Sequence, residues 1–369
     1  MNLDHVDSSA ALRAPLGFSP VDPSGVIPTP LAGLTRDRLL ALAKAQHGIP
    51  AERVKVAHRA FWLGDPTPTL GPAFPIHVPI VEEVIEERLD TPTGEEITAK
   101  AKLRLEDGNC IEMVRIPRTR GNTALCVSTQ VGCRMGCRFC QTARMGHLRN
   151  LTPAEIVMQV WVARHVLKWP LRGIVFMGMG EPLDNFDALA TALSVLMDRP
   201  AFSFTQEHLN ICTVGHVEGI AKLKALGHRR LMLSISLNAG TDEVRKSLMP
   251  INNRWSLAEL QQALIAYRMR EQQVFIVNYC LLPGINDRPE DINGIAEFLA
   301  PLGRSVLNLI PYNPGTDPIA QRPDEDCIRQ FTDALMARGV IVRRRRTRGS
   351  TVMAACGQLG AKRDSDILQ

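Results

Sequence analysis

The chain has 369 residues, nine cysteines and a formal net charge of +5 at pH 7. That length accommodates one large domain or two with a sizeable core, and an odd cysteine count in so long a chain argues against a secreted disulfide scaffold. No apolar run is long enough for a membrane span, and MNLDHVDSSAALRAPLGF lacks a basic stretch followed by an apolar one, so a reducing cytoplasm is the expected compartment.

Residues 1–34 carry Pro15, Pro20, Pro23, Pro28 and Pro30 among Ser and Gly, which predicts a mobile arm. From Thr35 to Trp62, apolar residues recur at helical spacing around Gly48-Ile49-Pro50, predicting two short helices. With the proline-marked linker after them, these helices form a small accessory domain over 35–93. Strand-like runs follow in EEITAKAKLRLEDGNCIEMVRIP, where Asp107-Gly108 signals a hairpin turn.

From Ala124 onward, short β-rich runs alternate with amphipathic helical ones. ALCVSTQ precedes AEIVMQVWVARHVL and GIVFMGMG precedes NFDALATALSVLM, and the pattern continues through HLNICTVG, LMLSISLN, VFIVNYCLL and VLNLIPYN to a last VIVRRRR. The expected class is therefore α/β, a parallel sheet wrapped by helices as a partial barrel of about six βα units plus a terminal strand. The main domain spans 94–362, and 363–369 is a tail.

Chemistry in such barrels gathers where strands end. The unusual residues have that address: a cysteine loop after the first strand, Gly178 to Pro182 after the second, Cys212 to Gly215 after the third. Ser236-Leu237-Asn238 closes the fourth, Asn286-Asp287 follows the fifth, and Asn313 closes the sixth.

Cys133, Cys137 and Cys140 are spaced CxxxCxxC. Three thiolates can hold three corners of a four-iron cluster and leave the fourth iron open for chemistry. Zinc is disfavoured, because it takes four ligands in paired motifs and no second CxxC or HxxxH follows. A packed core face is disfavoured too, since Gly132, Gly136, Arg134 and Arg138 surround the thiols.

Gly178 to Pro182 suits a backbone that approaches a ligand, with Glu181 facing a cationic amine, or else a plain βα turn. Ser236 and Asn313 are equally suited to a cofactor's hydroxyl or carboxylate and to capping strand ends. Cys212 reads as a small buried hydrophobe, and Cys110, Cys280 and Cys327 as structural. Cys356 follows Arg343, Arg344, Arg345, Arg346 and Arg348 in a loop of small residues, so it is either an activated nucleophile or a buried thiol. That arginine run, with Arg134, Arg138, Arg144 and Arg149 around the cysteine loop, is a solvated surface or a set of phosphate contacts.

The cysteine spacing resembles the radical S-adenosylmethionine superfamily. CVSTQVGCRMGCRFCQTARMG, GMGEPLDN, LNLIPYNP and RTRGSTVMAACGQL, in this order, resemble the members of it that methylate adenine of large-subunit ribosomal RNA. The resemblance spans roughly residues 105 to 362 and implies a radical S-adenosylmethionine barrel with one [4Fe-4S] cluster on Cys133, Cys137 and Cys140. It implies S-adenosylmethionine contacts from Gly180, Glu181, Cys212 and Ser236, and from Leu237, Asn238 and Asn313.

In that family one cofactor molecule methylates a cysteine, here Cys356, and a second supplies a radical that takes a hydrogen from the S-methyl group. The carbon radical adds to the ring. Cys126 is implied as the resolving thiol, through a transient disulfide with Cys356, and Glu112 as the proton acceptor. The implied substrate is 23S rRNA, at adenine C2 in preference to C8, and some members of the family also act on transfer RNA. The implied partner is an electron donor such as flavodoxin or ferredoxin, and the expected state is a monomer. A radical enzyme acting on a non-RNA substrate is the competing reading, against which the Cys126 and Cys356 pair argues. The chain departs from the family at Asn238, where histidine is usual, at Gly240, Cys212 and Asn278, and in the first 100 residues.

Overall fold

In the computed structural model, residues 28–92, 94–118, 122–349 and 351–360 are described. The two expected helices are α1 (Arg36–His47) and α2 (Ala51–Trp62). The Thr35 side chain caps the first by accepting from the Arg38 N–H, and Gly48 ends it in the left-handed conformation that glycine adopts freely.

Residues 28–34, expected in the mobile arm, belong to the fold. Thr29 and Leu31 donate their N–H groups to Ala73 and Pro75, and Leu31 is wholly buried. Apolar side chains at 31, 32 and 34 outweigh the two prolines beside them. The rest of the arm, 1–27, and the tail 363–369 lie outside the described residues.

A second correction concerns the boundary at residue 93. Strand β1 (Ile80–Thr91) pairs along its length with β2 (Gly94–Arg104), so a cut there would sever a hairpin. β3 (Cys110–Pro117) pairs with β2 across the Asp107-Gly108 turn, and β4 (Thr123–Cys126) with β3, all antiparallel.

Beyond β4 come β5 (Gln130–Gly132), α3 (Gln141–Arg144) and β6 (His147–Asn150), then the alternating units. These are α4 (Pro153–Trp161), β7 (Leu171–Phe176), α5 (Phe186–Met197), β8 (Leu209–Thr213), α6 (Val217–Ala225), β9 (Met232–Ser236) and α7 (Asp242–Leu248). The series ends with α8 (Leu257–Tyr267), β10 (Phe275–Leu281), α9 (Pro289–Leu299), β11 (Ser305–Pro311), α10 (Glu325–Met336) and β12 (Val342–Arg344). Capping boxes start α4 (Thr152 with Glu155) and α8 (Ser256 with Glu259), and Pro153 and Pro289 sit at first-turn positions where no N–H is needed.

One ten-stranded sheet runs β1-β2-β3-β4-β7-β8-β9-β10-β11-β12. From β4 on, every pairing is parallel, giving the six βα units and terminal strand that the alternation predicts. Among the described residues β12 does not pair with β1, so the barrel is open. Helix α2 and the turn Leu31–Gly33 pack against α4: Phe61 stacks on Trp161 at 5.5 Å, and the Trp161 indole donates to the Phe61 carbonyl. Among the described residues no helix is long and apolar enough to cross a membrane.

Candidate active site

Strands β5 and β6 pair antiparallel and pinch off the loop that carries the three cysteines. The pinch requires glycine. Gly132 has φ +75°, and a Cβ there would lie 1.8 Å from the Gly146 carbonyl oxygen. Cys133, Cys137 and Cys140 line one cavity of about 150 Å³ at the C-terminal ends of the parallel strands. Gly180, Glu181, Cys212, Ser236, Asn238 and Cys356 line the same cavity, so the first four of the six strand ends singled out in the sequence converge on it.

Burial pushes the Cys133 thiol up to about 12 and, with its sulfur neighbours, the Cys137 thiol well above its ordinary value; burial raises Cys140 as well. Three crowded sulfurs stay protonated unless a cation compensates them, as a metal does for its thiolate ligands. Among the described residues no three His, Cys, Asp or Glu side chains gather closely enough for one metal ion.

Glu181 is buried. Its carboxylate accepts the Val214 N–H at 2.9 Å and the Leu183 N–H at 3.1 Å, and its own N–H donates to Gln130. Burial lifts its carboxyl to about 7 against the lowering effect of those bonds. A cationic amine in the cavity would reverse that shift. Gly178 and Gly180 both line the cavity, and each is also packed closely from behind: a Cβ on Gly178 would meet the Val127 backbone at 2.6 Å, and one on Gly180 the Gln130 side chain at 2.5 Å.

A polar ladder crosses the barrel interior. Ser234 donates to Asn210, Asn308 to Asn278, and Asn278 to the Cys212 sulfur at 3.4 Å, with Ser236 Oγ 3.7 Å from the same sulfur. Asn278 and Cys280 also line the cavity, a role the sequence reading did not give them. Alternating polar residues inside otherwise apolar strands were the signal for it. Asn238 adopts φ +58°, accepts the Cys280 N–H and gives its carbonyl to Asn286.

Two implied contacts sit elsewhere. The Leu237 side chain is fully buried in the core, and its carbonyl is taken by Arg245. Asn313 lines an adjoining pocket with Arg345, Arg346 and Cys356, and its buried Oδ1 has no partner within the protein. A buried acceptor left over in this way marks a place for a ligand's donor.

Cys356 is exposed, with its sulfur 3.9 Å from the Arg345 guanidinium and 3.9 Å from the Met177 thioether. Its loop docks on α3, directly after Cys140: the Gln141 N–H donates to the Gly357 carbonyl and the Thr142 hydroxyl to that of Leu359. Cys126, at the end of β4, shares a smaller cavity with Cys140, Met177 and Cys356. All nine cysteines are free, so the implied Cys126–Cys356 disulfide is not formed in this structure. Glu112 lies deeper, beside rather than in the cavities, paired with Lys100 Nζ at 3.0 Å and accepting the Gly360 N–H at 2.7 Å.

The arginines divide. Arg134, Arg144, Arg149, Arg344 and Arg348 pair with Asp184, Asp317, Glu155, Glu325 and Glu96 respectively. Among the described residues Arg138, Arg343 and Arg346 are exposed without a carboxylate partner, which narrows the phosphate-contact reading to these three and Arg345.

A profile of the Radical SAM superfamily matches residues 127–299. The probable dual-specificity RNA methyltransferase RlmN 1 of Protochlamydia amoebophila is 41% identical over 263 residues, 71% of this chain and 73% of that protein. The dual-specificity RNA methyltransferase RlmN of Syntrophotalea carbinolica is 40% identical over 266 residues, 72% of this chain and 70% of that protein. The crystal structure of a radical SAM methyltransferase from Sphaerobacter thermophilus superposes with a TM-score of 0.79 at 32% identity, covering 91% of this chain and 100% of that one.

Proposed function

The chain belongs to the radical S-adenosylmethionine RNA methyltransferases, and from that premise we propose that it methylates a ring carbon of adenine in 23S ribosomal RNA, C2 before C8, with Cys356 as methyl carrier. Transfer RNA is a second substrate of the same chemistry. One observation carries this reading: an exposed thiol from the C-terminal loop lies in the cavity lined by the three-cysteine loop, with a second free thiol, Cys126, facing it.

Bound together, a four-iron cluster on Cys133, Cys137 and Cys140 and S-adenosylmethionine would supply the methyl group and the radical that takes a hydrogen atom from it, which a ring carbon with no lone pair to attack a sulfonium methyl requires. The protein's own groups do the rest. Glu181 receives the cofactor's amine and Asn313 a donor at the other side, while Gly180, Ser236 and Cys212 shape the wall between. Cys356 loses its proton as its sulfur takes the methyl group, beside the Arg345 guanidinium that stabilises the anion.

After the carbon has joined the ring and the adduct has given up its unpaired electron, which a cluster on the three cysteines would accept, Cys126 attacks the Cys356 sulfur: an S–S bond forms as the S–C bond breaks, and the freed methylene takes up a proton to become the methyl group. Glu112 takes the ring proton. The resulting disulfide is then reduced by two electrons from a flavodoxin- or ferredoxin-class donor.

Anaerobically reconstituted protein given methyl-labelled S-adenosylmethionine and unmodified ribosomal RNA should place label in the RNA and on Cys356. Cys356→Ala should transfer none, and Cys126→Ala should accumulate RNA bound covalently to protein. Absence of label from both RNA and Cys356 would reject the assignment.

A further inference from the structure

The segment 345–360 follows the last strand and has no helix or strand among its described residues, yet it carries Cys356. Three glutamates hold it, one from each strand of the antiparallel extension. Glu87 on β1 accepts the Gly349 N–H, the Thr351 N–H at 3.2 Å and the Thr351 hydroxyl at 2.7 Å. Glu96 on β2 accepts from Arg348 Nε at 3.0 Å and Nη2 at 2.7 Å. Glu112 on β3 accepts the Gly360 N–H at 2.7 Å. The grips fall on both sides of Cys356.

Glu87 is 9% exposed, and among the described residues it has no Lys or Arg partner. Burial pushes its carboxyl up, but the Thr351 and Gly349 donors outweigh that and hold it below the usual carboxylate range. An ionised carboxylate, hidden from solvent and satisfied by one loop, makes strong charge-assisted bonds that a surface residue would not. Between these grips the loop also rests on α3, through the Gly357 and Leu359 carbonyls. Gly349, Met353, Gly357 and Gly360 all have positive φ, from +51° to +86°, so the backbone bends on both sides of the thiol.

We propose that the β1–β3 extension is a positioning platform for the Cys356 loop, and that Glu87 is its principal positioning residue. Resting on the reading of Cys356 as methyl carrier, this assigns to strands outside the parallel barrel the task of presenting that sulfur at the cavity. A loop pinned at 348–351 and at 360 holds its centre within reach of the cluster side while leaving the thiol open to a nucleic acid.

Hydrogen exchange of the full chain, read by mass spectrometry, tests the clamp without requiring cofactor. Glu87→Ala should speed exchange at amides 349–352 by tenfold or more and leave the β10 and β11 amides unchanged. In reconstituted protein the same substitution should slow methylation of Cys356 by at least tenfold. Glu87→Gln retains one carbonyl acceptor and should recover part of both effects. Arg348→Met releases the neighbouring grip from the loop side, leaves the strands intact, and should speed exchange at 349–352 several-fold even where Glu87→Ala fails to fold.

Exchange at wild-type rates in Glu87→Gln and Arg348→Met would overturn the proposal, as would faster exchange in Glu87→Ala with undiminished Cys356 methylation. The carrier reading fails on a different result, RNA methylation by Cys356→Ala, so the two are separable.

Discussion

Arg245 offers the sharpest test of how the cavity wall is held. It is 1% exposed, and among the described residues no carboxylate touches its guanidinium. Instead Nε donates to the Leu237 carbonyl at 3.1 Å, Nη1 to Asn252 Oδ1 at 2.8 Å and Nη2 to the Val214 carbonyl at 2.5 Å. One side chain thus joins the ends of β8 and β9, and Val214 is itself part of the cavity wall. Replacing it by methionine, of similar volume, strands three buried acceptors at about 1–3 kcal/mol each. Against that stands the relief of a buried charge, because burial lowers the Arg245 pKa to about 10 from 12.5. That relief is worth about 3 kcal/mol. The net expectation is a loss of about 3 kcal/mol in urea unfolding of the cofactor-free protein. Arg245→Lys should lose at least as much, since it keeps the charge and forfeits the fork. A methionine variant as stable as wild type, or a lysine variant that restores stability, would refute the view that fork geometry governs this residue.

Two further outcomes follow from groups near the cavity. Glu181 keeps its proton in the folded protein up to about pH 7, whereas the ordinary carboxyl value is 4.5. Wild type should therefore lose stability relative to Glu181→Gln as pH rises from 4.5 to 7, by about 3 kcal/mol, and the difference should level off above; a pH-independent difference in urea midpoints would contradict the assignment. Gly178→Ala would drive a Cβ to 2.6 Å from the Val127 carbonyl, backbone that cannot rotate away. Overpacking of that kind costs about 2–3 kcal/mol, and a thermal midpoint within a degree of wild type would show that the loop moves aside freely.

The parallel part of the fold was legible because its strands alternate with amphipathic helices, and the cysteine triplet because its spacing has few other uses. What the sequence did not disclose are relations between distant segments. Pro28 and Pro30 look like the arm before them, and only the burial of Leu31 against the first barrel helix shows that the chain has already entered the fold. Glu87, Glu96 and Glu112 look like surface charges on amphipathic strands; their common target, the 348–360 loop, is more than 240 residues away along the chain. Asn278 and Cys280 were legible in principle through period two, but reading them as cavity residues requires knowing which face of β10 looks inward. The arginine run misled in part, because counting charges does not reveal that Arg344 and Arg348 are already neutralised by Glu325 and Glu96.

The two free thiols divide their labour by environment. Cys356 stands exposed beside a guanidinium, whereas Cys126 ends a buried strand, where desolvation and then the neighbouring Cys356 sulfur push its thiol well above the ordinary range. Since the thiolate is the attacking species, a protonated Cys126 would, on the proposed roles, leave a methyl-bearing Cys356 intact until something changes its surroundings. On the proposed scheme substrate RNA brought to Cys356 would supply that change, because Cys126, Cys140 and Cys356 line one cavity of about 70 Å³. On the proposed roles, burial would set the order of events: the exposed Cys356 sulfur would accept the carbon first, and the buried Cys126 would act only after the carbon has been delivered.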